Sequence, residues 1–166
     1  MRILYTQAEI QQRTHELASR LRDTFTAGKT PLFIGLLNGA FMFYKDLVTE
    51  VNSPIECDFM RVKSYTGKKQ GDIKITKDLG TSVLGKDVYI VDDIFDSGNT
   101  MRYVINHLSK DQPNSISVVT LLVRDISPIL NVNTHHGFVI QNEWVCGYGM
   151  DNNDGTMRNN TNIYEI

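Results

Sequence analysis

The sequence predicts an α/β fold built on an open, mainly parallel twisted sheet flanked by helices. Three observations carry that expectation. First, short apolar runs rich in β-branched residues recur along the chain: "PLFIGLL" (31–37), "DVYIV" (87–91) and "SISVVTLLV" (115–123). Their continuity suits buried strands, and "DVYIV" in particular a strand covered on both faces. Second, these runs alternate with segments of helical spacing, the pattern of strand–helix–strand units. Third, turn residues stand where such units change element: "NGA" after the first run and "DSGNT" soon after the second.

Taken in order, Thr6 and Glu9 form a capping box, and Ile10, Leu17, Leu21 and Phe25 follow at near-helical spacing, with Gly28 available to end the helix. "PLFIGLL" is the first buried strand, and "FMFYKDLVTEV" (41–51) is a helix with a broad apolar side. "IECDFMRV" (55–62) is a second strand, with Ile55, Cys57 and Phe59 on one face. Residues 64–86 break the pattern with four glycines and mostly polar residues, and only "DIKIT" alternates as a strand does. That length suits either a surface hairpin or a mobile active-site flap. "DVYIV" is the next strand, Thr100 to Ser109 the next helix, "SISVVTLLV" a further strand and "GFVI" (137–140) a short one. From "WVCGYGMD" onward the tail is too rich in Gly and Asn for an assignment.

The chain has 166 residues, which fits a single domain spanning 1–166. Lys and Arg number 17 and Asp and Glu 19, a formal charge of −2. A general nucleic-acid binder is usually basic, so no nucleic-acid partner is expected. No stretch is apolar enough for a signal peptide or a membrane span, and the expected location is cytoplasmic. Cys57 and Cys146 lie far apart and read as buried small hydrophobes, not as a disulfide or zinc pair. The adjacent His135 and His136 read as solvated loop residues.

The chemistry concentrates in "VYIVDDIFDSGNT" (88–100). In open parallel sheets, ligands bind beyond the carboxyl ends of the strands. Asp92 and Asp93 stand where "DVYIV" is expected to end. Adjacent side chains on extended backbone point apart, so one can face a ligand while the other turns toward a neighbouring loop. "DSGNT" then supplies hydroxyls, a glycine that tolerates positive φ and the N–H groups of a helix start, a cradle for an anion. Acids followed by an anion cradle suit a sugar phosphate. A solvated turn with an N-cap, or a phosphoacceptor site, would use some of the same residues.

This segment resembles the phosphoribosyl-diphosphate signature of the type I phosphoribosyltransferases, and the chain from about Leu4 to Ile163 resembles the hypoxanthine-guanine phosphoribosyltransferases among them. "LLNGAFMF" is similar to the family's pyrophosphate loop, "VKSYTG" to the opening of its flap, and "LLVR" and "NEWVCGYGMD" to its purine-pocket segments. The resemblance implies the type I fold, with a mobile flap at about 64–86 and a small hood formed by the N-terminal segment and about 124–166. It implies transfer of a phosphoribosyl group from phosphoribosyl diphosphate to a 6-oxopurine. Alternatives are a xanthine-preferring transferase and a nucleic-acid-binding regulator on the same fold.

The same resemblance assigns roles. Leu37, Asn38 and Gly39 hold pyrophosphate, and Asp92 and Asp93 face the ribose. Ser97, Gly98, Asn99 and Thr100 hold the 5′-phosphate, and Asp96 takes or shares the purine N7 proton. Arg124 donates to the 6-oxo group, Trp144 stacks on the base, and Val145 contacts it through its backbone. Ser64 and Tyr65 close over the site, and Arg158 is the pyrophosphate arginine. Mg²⁺ is the implied cofactor, near Asp92, Asp93 and Asp151 and partly through water. The implied assembly is a homodimer or homotetramer. Three positions depart from the family's pattern: Asn38 and Arg124 replace residues that are more often Lys or Arg and Lys respectively, and one extra residue separates Asp151 from Arg158.

Overall fold

The computed structural model describes residues 1–66 and 70–166, and the side chains of all of these except 64–66 and 70–72. In chain order the elements are β1 (Arg2–Tyr5), α1 (Gln7–Arg22), β2 (Leu32–Leu37), α2 (Phe41–Val51), β3 (Glu56–Thr66), β4 (Gln70–Lys77), β5 (Asp87–Phe95), α3 (Asn99–Ser109), β6 (Ser115–Arg124), β7 (Asn133–Ile140), β8 (Val145–Cys146) and β9 (Ile163–Glu165). Six strands form the main sheet in the order β4-β3-β2-β5-β6-β7. Every neighbouring pair in it is parallel except β3 with β4. A second, antiparallel sheet has the order β1-β9-β8. The α/β expectation therefore holds.

The continuous apolar runs have the predicted cause: both faces of the sheet are covered. Phe33, Tyr89, Val91, Val119 and Leu121 face one way, into a core with Ile10 and Leu17 of α1 and Phe43 and Leu47 of α2. Ile34, Val88, Ile90 and Val118 face the other way, onto Met101, Val104 and Leu108 of α3. Phe33 stacks on Tyr89 at 4.8 Å between ring centroids. Each strand thus contributes to two cores by simple alternation.

Several boundaries differ from the expectation. The capping box is present in full, with the Thr6 side chain accepting the Glu9 N–H and Glu9 accepting the Thr6 N–H. However, α1 stops at Arg22, short of Gly28, because the Thr24 hydroxyl and N–H both take the Leu21 carbonyl. β5 continues through the aspartates to Phe95, held by its pairing with β6 as far as Phe95↔Val123. β3 also outruns its apolar stretch, because β4 pairs with it up to Thr66↔Gln70. β7 begins at Asn133, so His135 and His136 lie on an edge strand and not in a loop. Burial lowers the His135 pKa, helped by the nearby Arg20 and His136. Cys146 is buried as expected, but Cys57 is exposed.

The segment expected as a flap, 64–86, is not uniform. Beyond β4 it returns to the body, where Asp58 Oδ2 accepts the N–H groups of Gly80 and Thr81 at 2.9 Å and Val83 is buried. Among the described residues no helix is long and apolar enough to cross a membrane.

Candidate active site

The carboxyl end of β5 opens into a cleft of about 360 Å³. Around it the structure gathers Leu37 and Gly39 from the loop after β2, Asp92, Asp93 and Asp96 from β5 and its extension, and Ser97, Gly98 and Thr100 from the start of α3. Gly98 is the N-cap of α3 at φ 77°, a conformation that favours glycine. Its approach to Pro128 also leaves little room, since a Cβ there would lie 2.9 Å from the proline ring. Asn99 is exposed on the first turn of the helix.

The acids are arranged unevenly. Burial pushes the Asp92 carboxyl well above the ordinary range, and the Asp93 charge pushes it further. Its hydrogen bond from the Asp93 N–H, at 3.0 Å, only partly opposes that. The Asp93 carboxylate turns onto the loop after β2: a Cβ at Gly39 would lie 1.9 Å from Asp93 Oδ2. On the far side of that loop, a Cβ at Gly149 would lie 2.0 Å from the Gly39 carbonyl oxygen. Three segments distant in sequence thus meet at this loop, where the two glycines leave room for the Asp93 carboxylate on one side and for the Gly39 carbonyl on the other.

Asp96 projects outward, its side chain 59% exposed, and Arg124 Nε lies 3.2 Å from its Oδ1. The Arg124 side chain is only 12% exposed, and its Nη1 donates a hydrogen bond at 2.7 Å to the Gln141 carbonyl. Sequence reasoning missed two supports here. The Ser127 hydroxyl lies 2.8 Å from the carbonyls of both Phe95 and Asp96 and braces the cradle from the loop after β6. Gln141 contributes only a carbonyl oxygen, which no sequence pattern marks.

Asn38, Trp144, Val145, Asp151 and Arg158 are not among the residues that line this cleft. Asn38 and Arg158 line an adjoining cavity of about 400 Å³ with Phe41 and Met157. Arg158 Nη2 pairs with Asp151 at 2.9 Å, and Nη1 donates to the Gly149 carbonyl at 2.7 Å. Trp144 is 69% exposed, which excludes a core role for its ring. Val145 begins β8 and is half-buried. The side chains of Ser64 and Tyr65 lie outside the described residues.

The chain is also similar to known proteins over most of its length. The phosphoribosyl transferase domain matches residues 2–153. The hypoxanthine-guanine-xanthine phosphoribosyltransferase of Tritrichomonas foetus is 40% identical over 157 residues, covering 90% of this chain and 83% of the relative. The chain belongs to the phosphoribosyl transferase family, in its hypoxanthine-guanine branch. The hypoxanthine phosphoribosyltransferase of Escherichia coli is likewise 40% identical, over 90% of this chain and 86% of its own length. The crystal structure of a Staphylococcus aureus hypoxanthine phosphoribosyltransferase superposes with a TM-score of 0.91 at 33% identity, covering 100% of this chain and 91% of that one. This phosphoribosyltransferase is a purine-salvage enzyme of the pentosyltransferase class, and the regulator alternative is not favoured.

Proposed function

We propose that the chain transfers the 5-phosphoribosyl group of phosphoribosyl diphosphate to hypoxanthine or guanine, giving IMP or GMP and pyrophosphate. The observation that carries this reading is the order of groups along one continuous backbone. Half-buried acids at Asp92 and Asp93 are followed by an exposed carboxylate at Asp96 and then by the amino end of α3. In this reading Ser97, Gly98, Asn99 and Thr100 hold the 5′-phosphate, and the helix dipole favours its charge. Asp92 and Asp93 face the ribose and stabilise the positive charge that develops on the sugar as pyrophosphate departs. Asp96 takes or shares the proton on purine N7, and Trp144 stacks on the base. Arg124 has five donors, and among the described residues it pairs with Asp96 through Nε and donates to the Gln141 carbonyl through Nη1, which leaves donors for a 6-oxo group. Leu37, Asn38, Gly39 and Arg158 hold pyrophosphate. Val145 contacts the base, and Ser64 and Tyr65, on the proposed flap of about 64–86, exclude water from the sugar cation. The proposed hood, the N-terminal segment with about 124–166, completes a single domain.

The acids suit Mg²⁺. They are hard oxygen ligands, and the Asp93 repulsion that adds to burial in raising Asp92 is relieved by a nearby dication. Mg²⁺ is commonly bound through one or two carboxylates together with substrate phosphates and water. Asp92, Asp93 and Asp151 are the residues that would hold it, partly through water. When bound, Mg²⁺ would neutralise the departing pyrophosphate. A cytoplasmic location and a homodimer or homotetramer belong to the same proposal.

The test is nucleotide formation from phosphoribosyl diphosphate and Mg²⁺ with hypoxanthine, guanine, xanthine or adenine, with and without EDTA. Turnover with hypoxanthine or guanine, lost on chelation, is the expected result. Turnover with xanthine alone, or with no 6-oxopurine, would sink this reading. Asp96→Asn should lower kcat by about 10²–10⁴-fold while leaving nucleotide affinity within a few-fold; unchanged kcat would remove Asp96 as the base.

A further inference from the structure

We propose that Tyr148 is a positioning residue for the pyrophosphate loop, acting through its hydrogen bond to Asp46. This rests on the reading of Leu37–Gly39 as that loop.

Tyr148 lies between two glycines in "GYG", yet it is only 2% exposed and belongs to the core shared by α1 and α2. Packing alone would be served by Phe. The hydroxyl instead donates to Asp46 Oδ2 at 2.5 Å, while Lys45 Nζ takes Oδ1 of the same carboxylate at 2.8 Å. Burial first, and the Asp46 carboxylate next, drive the Tyr148 pKa far upward, so the phenol stays a donor.

Asp46 stands on α2, the helix that opens directly from the loop. Phe41 N–H bonds to the Asn38 carbonyl at 3.2 Å, and Tyr44 N–H to the Ala40 carbonyl at 2.7 Å, so loop and helix form one piece. Tyr148 therefore joins that piece to the 147–150 turn, whose next residue, Gly149, presses on the Gly39 carbonyl. Gly149 in turn holds Arg158 through two bonds, its N–H to the Arg158 carbonyl at 2.9 Å and its carbonyl to Nη1 at 2.7 Å. Gly39 then presses on Asp93. The stack Gly149–Gly39–Asp93 contains no side chain that could act as a spacer at the two glycines. Its spacing is set by whatever fixes the turn relative to α2, and the Tyr148–Asp46 bond does so at one residue's distance from Gly149.

The experiment is steady-state kinetics with thermal melting on Tyr148→Phe, Asp46→Asn, Asp46→Ala, the Tyr148→Phe/Asp46→Ala double variant and Arg158→Gln. Loss of one hydrogen bond predicts that Tyr148→Phe raises KM for phosphoribosyl diphosphate by about 3–10-fold, with the purine KM unchanged within about twofold. Asp46→Asn keeps an oxygen acceptor and should retain KM near that of the parent. Asp46→Ala should match Tyr148→Phe, and the double variant should be no worse than either alone. An unchanged KM in Tyr148→Phe, an equal rise for both substrates with a lower Tm, or additive effects in the double variant would overturn the proposal. Arg158→Gln tests the underlying reading, since it should raise the same KM whether or not the strut exists. If it does not, the pyrophosphate loop is misplaced and the proposal falls with it.

Discussion

Strand β5 carries an aspartate at each end of its buried run, and the two are treated oppositely. At the amino end Asp87 is 6% exposed, and its Oδ1 accepts Asn114 Nδ2 at 2.5 Å and the Ser115 hydroxyl at 2.7 Å. Its Oδ2 is buried without a hydrogen-bond partner among the described residues. Burial works against its charge, but Asn114 and Ser115, with Thr26 and Lys29 nearby, outweigh it, so its pKa is lowered. At the carboxyl end Asp92 has one backbone donor and a second acid for a neighbour, and its pKa is raised. The same residue type on the same strand is a stabilising anchor at one end and a stored electrostatic cost at the other. A protein tolerates the second arrangement where a cationic ligand is to come.

The sharpest way to break this contrast is Asp92→Asn. It removes a charge that the ligand-free fold disfavours, so the Tm without substrates should rise by about 2–4 °C. The same change removes a carboxylate assigned to the sugar cation, and kcat/KM should fall by about 100-fold or more. A lower Tm with kcat/KM nearly unchanged would show that Asp92 is a structural acid like Asp87. The mirror experiment, Asp87→Ala, leaves Asn114 and Ser115 without their shared acceptor. It should cost about 1–3 kcal/mol of stability while kcat at saturating substrates stays within about twofold.

The pH dependence separates the two acids by sign. The lowered pKa of Asp87 adds stability above its unfolded value, about 4, and this is lost as pH falls through the folded value. Asp92 does the reverse. Below about pH 4 it is protonated in both states and costs nothing, and its penalty grows as pH rises toward its raised folded pKa. Tm measured from pH 3 to 8 on the ligand-free protein should therefore lose its acid-side fall in part with Asp87→Asn. It should lose part of its decline above pH 4 with Asp92→Asn. The same slope in both variants would contradict the assignment.

The difference between the two ends also explains what the sequence could reveal. The gathering of Asp92 to Thr100 around one cleft was legible because these groups follow one another along the backbone at the end of a strand whose run is unmistakably apolar. Its neighbours were not. Arg124 reaches Asp96 only because β6 lies beside β5, and Ser127 reaches the Phe95 and Asp96 carbonyls from the loop beyond. The tail resisted assignment for a related reason. Its glycines are there for backbone contact, Gly147 against the Asn162 carbonyl and Gly149 against that of Gly39, and in a list of residues such glycines look like loop. β1, β8 and β9 are four, two and three residues long, so each depends on the other two and none carries a period of its own. At the end of β5 the apolar pattern stopped before the strand did, because pairing to β6 and not hydrophobicity carries the last residues.

The smallest expected effect tests the cation at the active end. Near Asp87, Lys29 acts as a charge among several donors. Near Asp96, Arg124 does more than supply charge, because one planar group reaches Asp96 Oδ1 and the Gln141 carbonyl together. Arg124→Lys keeps the charge but replaces the fork with a single ammonium on a flexible stem. If the fork matters, the Asp96 side chain gains freedom. The purine KM should then rise by about 2–5-fold with kcat lowered by less than about threefold, since one charge-assisted bond is exchanged for a weaker one. Arg124→Gln, which removes the charge as well, should be worse in kcat than Arg124→Lys. Kinetics of the lysine variant indistinguishable from the parent would mean that charge alone suffices there, and the two ends of β5 would then differ in their acids but not in how their cations serve them.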